Sequence, residues 1–168
     1  MKILGIDPGT VVMGYGIIEC EDADLALVDF GAITVPGKLS MGERLNRLYI
    51  ELLKVVKLHK PDAVAVESPF VAKNVKSALA IGRAQAIALL AAAGKGIPTF
   101  EYSPAQVKQR VTNYGASSKE QIQEMVRLQL GLAEIPQPHD AADALAIAIC
   151  HAQEIRINNL LTRQGERQ

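Results

Sequence analysis

KILGIDPGTVVMGYGIIECEDADLALVDFGAITV, residues 2–35, contains three short apolar or alternating runs: KILGID (2–7), MGYGIIEC (13–20) and LALVDFGAITV (25–35). PGT and the acidic turn EDAD separate them, so the stretch predicts three strands in hairpin succession. The first strand ends on a carboxylate, Asp7.

Beyond this stretch, apolar residues from Met41 to Lys60 fall at Leu45, Leu48, Tyr49, Leu52, Val55 and Val56, a helical stripe that Pro61 stops. DAVAVE (62–67) predicts a strand covered on both faces, in the middle of a sheet. The Ala, Leu and Ile of residues 77–93 predict a widely buried helix, and IPTFEY (97–102) a further strand. Ser103-Pro104 supplies a cap and first-turn pair for a helix over 104–112, and Ser117 with Glu120 has capping-box spacing for the next. GLAEIPQP (131–138) breaks the chain before a last helix over 140–155. This order predicts an α/β fold, a mixed five-stranded sheet with helices on both faces. Residues 1–157 form one domain in this reading, and 158–168 a polar, loosely held tail.

The chain has 168 residues, 49% of them apolar and 21% charged, enough for one well-filled core and too few for two ordinary domains. No apolar run is read as reaching the roughly 18 to 20 residues of a membrane span, and MKILGIDPG lacks a signal-peptide layout, so a cytoplasmic protein is expected. Cys20 and Cys150 stand far apart, with no CxxC pair, and are expected to be buried thiols. Formal charge is zero, but unevenly spread. Residues 69–119 hold Lys73, Lys76, Arg83, Lys95, Lys108, Arg110 and Lys119 against Glu101 alone, seven bases to one acid, while both flanks are acidic. A basic middle can bind phosphate, although the same lysines also read as ordinary solvated side chains.

Two apolar strands finish on acids, Asp7 and Glu67. If they lie parallel and adjacent, both carboxylates emerge at the carboxyl edge of the sheet, where ligands of open α/β sheets sit. Asp140 and Asp143, three apart at the start of the final helix, share one helical face and can reach that edge. Four carboxylates without a His/Cys framework suit Mg²⁺ or Mn²⁺ rather than zinc. Two such ions about 3.5 to 4 Å apart could activate a water and stabilise the leaving oxygen at phosphorus. Taken singly, each acid also reads as a turn residue or an N-terminal helix charge.

Around these acids the chain resembles the RuvC family of bacterial Holliday-junction resolvases over nearly its whole length. The resemblance rests on GIDPGTVVMGYG (5–16), ESPFVAKNVKSALAIGRA (67–84), FEYSPAQVKQRV (100–111) and HDAADALAIAICH (139–151). It implies an RNase H-like fold, with Asp7, Glu67, Asp140 and Asp143 as catalytic metal ligands for Mg²⁺. Lys108 and Lys119 match basic residues near the scissile phosphate, and Phe70 an aromatic that stacks on a base near the crossover. Lys73, Lys76 and Arg110 complete the expected DNA-binding set. The resemblance further implies a homodimer that nicks two strands of a four-way junction symmetrically in recombination and repair, beside junction-binding and branch-migration proteins. Departures are Ala86 and Asn113, where the family often has glycine, and His139, one residue before a position where some relatives carry histidine.

Glu101 is read as a turn acid, His151 as structural, His139 as outside the ligand set, and Gly9 and Gly14 as turn residues. GIDPGT also resembles the phosphate loop of actin-like and sugar-kinase nucleotide-binding modules, but those need two such domains and this chain has room for one. An RNA-processing nuclease of the same fold acting on ribosomal RNA is a nearer alternative, which Phe70 and the AKN loop disfavour.

Overall fold

The computed structural model describes residues 1–22, 24–69 and 75–165. Strands β1 (Lys2–Asp7), β2 (Val12–Glu21) and β3 (Asp24–Thr34) form the expected antiparallel meander. Helix α1 (Met41–His59) follows, then β4 (Ala63–Glu67), α2 (Val75–Ala93) and β5 (Thr99–Tyr102). Helices α3 (Pro104–Thr112), α4 (Lys119–Gln129) and α5 (His139–Gly165) complete the chain. The strand order is β3-β2-β1-β4-β5, with β1, β4 and β5 parallel, a mixed five-stranded sheet of RNase H-like type.

Successive strand residues point to opposite faces, which divides the core in two. Leu4, Ile6, Val64 and Val66 pack with Leu48, Leu52 and Val56 of α1 and Ala84, Ala88 and Ala91 of α2. Ile3, Ile18 and Ala65 pack on the other face with α3, α4 and the middle of α5. Asp7 and Glu67 share the parity of Ile3 and Ala65, so both belong to the face that α5 covers.

Capping boxes fix three helix starts: Ser40 with Glu43, Ser103 with Gln106, and Ser118 with Gln121. The last replaces the expected Ser117–Glu120 pair. The Ser117 hydroxyl is engaged by Thr112 Oγ1 at 2.6 Å and by the Tyr114 carbonyl at 2.8 Å, which leaves Ser118 to cap α4.

Four further expectations are corrected. Helix α5 runs ten residues past residue 155, so 158–165, expected as a loose tail, are helical; no Pro or Gly interrupts them before Gly165. Helix α2 is only half covered, because Val75, Leu79 and Leu90 are exposed. By length and composition it is also long enough to cross a membrane, contrary to the sequence reading, yet it packs against α1 and β4 as a face helix of the sheet. Cys150 is buried as expected, but Cys20 is only half-buried.

Candidate metal-binding site

Strands β1 and β4 are parallel neighbours in the register Ile6↔Val66, which brings Asp7 and Glu67 side by side at the carboxyl edge of the sheet. Helix α5 brings the other two acids by lying against the sheet with almost no side chain between. A Cβ added at Gly5 would stand 2.0 Å from the Ala144 carbonyl oxygen, and one at Gly14 2.0 Å from that of Asp140. Gly14 lies inside β2, so its role is close approach and not the turn expected of it. The missed signal was spacing. Gly14 and Gly16 share one strand face, Gly16 pairs with Gly5, and the facing helix offers Ala141, Ala144 and Ala148.

The electrostatics show the four acids acting on one another. Burial, then Glu67, Asp143 and Asp140 in that order, push the Asp7 carboxyl up from 3.8 to about 7, with Lys119 partly opposing. Burial and then Asp143 raise Glu67, against Lys119 and Lys108. Lys119 Nζ donates to Asp143 Oδ2 at 2.6 Å, and this bond raises the lysine's own pKa. Beside them lies a cavity of about 240 Å³, lined by Glu67, Asp143, Lys108 and Lys119 with Val107, Ile122 and Ile147 as apolar wall.

Among the described residues no three His, Cys, Asp or Glu side chains close around a single point as a finished metal cage. The donor set nevertheless fits a hard divalent cation. Its candidate donors are all carboxylate oxygens whose like charges disfavour joint ionisation, and the Lys119 ammonium pairs with Asp143.

Of the other expected residues, Phe70 and Lys73 lie outside the described residues. Lys76 is exposed in the first turn of α2. Arg110 is not brought to the carboxylates: its Nε donates to Glu154 Oε2 at 2.6 Å, an ion pair between α3 and α5. His139 is exposed at the start of α5. His151 is buried with Nδ1 2.7 Å from the Tyr102 hydroxyl and its ring 4.1 Å from that of Phe100, and burial pushes its pKa down to about 4. It is a core residue. Gln85 Nε2 donates to Glu101 Oε2 at 2.6 Å, which gives Glu101 a structural role between α2 and β5. Sequence reading gave no role to Tyr114, an exposed residue of the turn between the helices that carry the two cavity lysines. Its signal was an aromatic in a polar turn, NYGASS (113–118).

Residues 3–151 match the family model of the crossover junction endodeoxyribonuclease RuvC. The chain is 58% identical over 166 residues to the crossover junction endodeoxyribonuclease RuvC of Dehalococcoides mccartyi, covering 99% of this chain and 100% of that protein. It is 55% identical over 152 residues to that of Chloroflexus aggregans, covering 90% of this chain and 93% of that one. Among solved structures it is similar to T. thermophilus RuvC in complex with a Holliday junction substrate, with a TM-score of 0.88 and 36% identity over 94% of this chain and 96% of that one. By the family model that spans residues 3–151 and by its identity to these relatives over nearly their whole length, the chain belongs to the RuvC family of crossover junction endodeoxyribonucleases.

Proposed function

We propose that this protein resolves four-way DNA junctions by paired, symmetric hydrolysis of phosphodiester bonds, as a Mg²⁺-dependent endonuclease of recombination and repair. The observation that carries the reading is the meeting of Asp7, Glu67, Asp140 and Asp143 at one sheet edge beside Lys108 and Lys119. Those four carboxylates would hold Mg²⁺, two ions per site with Mn²⁺ able to substitute. Bound there, the metal would lower the pKa of a water and stabilise the leaving oxygen at phosphorus.

The chain's own groups do the rest. Lys108 and Lys119 face the cavity and offer ammonium groups to a phosphate, so the scissile bond is drawn against the carboxylates. Val107, Ile122 and Ile147 form the apolar wall of that cavity. No protein nucleophile is required. The T. thermophilus relative solved with a Holliday junction substrate supports four-way DNA as the ligand.

A junction with twofold symmetry calls for two sites related by a twofold axis, which supports a homodimer. The exposed Val75, Leu79 and Leu90 of α2 supply an apolar face for it. Junction-binding and branch-migration proteins are the expected companions, in the cytoplasm. The test is Glu67→Gln, which keeps shape and removes one ligand charge: junction binding is retained, and Mg²⁺-dependent cleavage falls by orders of magnitude. Cleavage at the wild-type rate would remove the metal-site reading.

A further inference from the structure

Helices α3 and α4 are joined by Asn113–Ser118, a turn held far more firmly than its exposure suggests. Thr112 Oγ1 lies 2.9 Å from the Lys108 carbonyl oxygen, 2.9 Å from that of Tyr114 and 2.6 Å from Ser117 Oγ. The Tyr114 amide donates back to Thr112 Oγ1 at 3.1 Å, and Ser117 Oγ donates to the Tyr114 carbonyl at 2.8 Å. Asn113, in the left-handed region at φ 58°, turns the chain outward, and its carbonyl accepts from Gln109 Nε2 at 3.3 Å. The backbone on both sides of Tyr114 is therefore fixed, while its side chain remains 64% exposed.

The position of that ring matters. Lys108 and Lys119, one at each side of the turn, both line the cavity beside Glu67 and Asp143. Tyr114 and Lys119 are five positions apart, so their Cα atoms are at most about 18 Å apart. At about 3.4 Å per nucleotide along a strand, that span is on the order of five nucleotides, so a strand with a phosphate held at Lys119 can reach the turn. From Tyr102 to Lys119 the chain carries no acid, and Lys108 and Lys119 flank the turn, so a phosphate backbone can approach it.

We propose that Tyr114 is a preset stacking platform for an unpaired base of the bound DNA strand, near the scissile phosphate. A fixed backbone and a two-torsion aromatic side chain lose little entropy on binding, and a base offers a free π-face only where pairing or stacking is interrupted, as at a crossover. Tyr114 thus adds discrimination for interrupted duplex that the metal ligands and lysines cannot give. The inference rests on the junction-nuclease reading above.

The chain has no Trp, so Tyr114→Trp introduces a single indole at the proposed contact. With Ca²⁺ in place of Mg²⁺, this variant is titrated with a four-way junction and with linear duplex of the same sequence, while fluorescence anisotropy of labelled DNA follows wild-type binding in parallel. The expected result is quenching by the junction and little by duplex. Tyr114→Phe then cuts junctions as wild type does, and Tyr114→Ala cuts at least about fivefold more slowly. Thermal melting confirms that the alanine variant is folded. Emission unchanged by a junction that binds, equal quenching by duplex, or wild-type cleavage by Tyr114→Ala would each overturn the proposal. If the wild type binds no junction in the anisotropy arm, the nuclease reading itself falls and this inference falls with it.

Discussion

Gly14 of β2 faces the carbonyl of Asp140 so closely that a Cβ there would stand 2.0 Å from the oxygen. One glycine therefore sets how near the first turn of α5, with Asp140 and Asp143, can come to Asp7.

Gly14→Ala is expected to displace that turn. Overpacking costs about 1 to 3 kcal/mol, and junction cleavage falls well beyond what the lost folded fraction explains. Gly42→Ala is the control, because its Cβ would meet nothing within 4 Å in α1. It is expected to raise stability by about 0.5 to 1 kcal/mol with cleavage unchanged. Thermal melts and cleavage assays on both variants decide the matter, and a stable, fully active Gly14→Ala would contradict the packing argument.

The raised pKa of Asp7, about 7 against 3.8, predicts how metal-free protein responds to pH. A carboxyl that binds its proton more tightly when folded contributes stability that is fully present below about pH 4 and is lost as pH rises through about 7. The shift of roughly three units corresponds to at most about 4 kcal/mol. In EDTA, wild type should therefore lose thermal stability relative to Asp7→Asn between about pH 5 and pH 8, and Mg²⁺ should restore it. His151, pushed down to about 4, acts in the opposite sense: its contribution is full above about 6.5 and lost as pH falls through 4. Both proteins carry it, so it cancels. Parallel stability curves for the two would show that Asp7 does not sit among like charges.

Asp140 and His139 are the two candidates for the fourth ligand position. Asp140 contributes to the raised pKa of Asp7 and His139 does not, while the His139 side chain is exposed. Asp140→Asn should abolish Mg²⁺-dependent cleavage, and His139→Ala should keep most of it at neutral pH. The opposite pattern in cleavage assays would reverse the assignment.

The acids at the strand ends were legible because each closes an apolar run, and strand parity then puts Asp7 and Glu67 on one face. Asp140 and Asp143 followed from helical spacing. What the sequence hid depended on contacts distant along the chain. Gly14 is read as a turn residue until α5 is known to lie on it, and Ser117 as a cap until Thr112 is known to engage it. Arg110 counts as a free cation until Glu154, 44 residues later, pairs with it. Helix α5 outran its expected end because the polar residues after 155 need no burial to stay helical once the preceding turns are packed.

The most direct test is cleavage of a mobile four-way junction beside linear duplex of the same sequence, in Mg²⁺ and in Ca²⁺, with products separated strand by strand on denaturing gels. Paired nicks at symmetric positions in two opposing strands, on the junction only and in Mg²⁺ only, are the expected result. Equal cutting of linear duplex, or no cutting of the junction by protein that binds it in Mg²⁺, would contradict the assignment of this site to junction resolution.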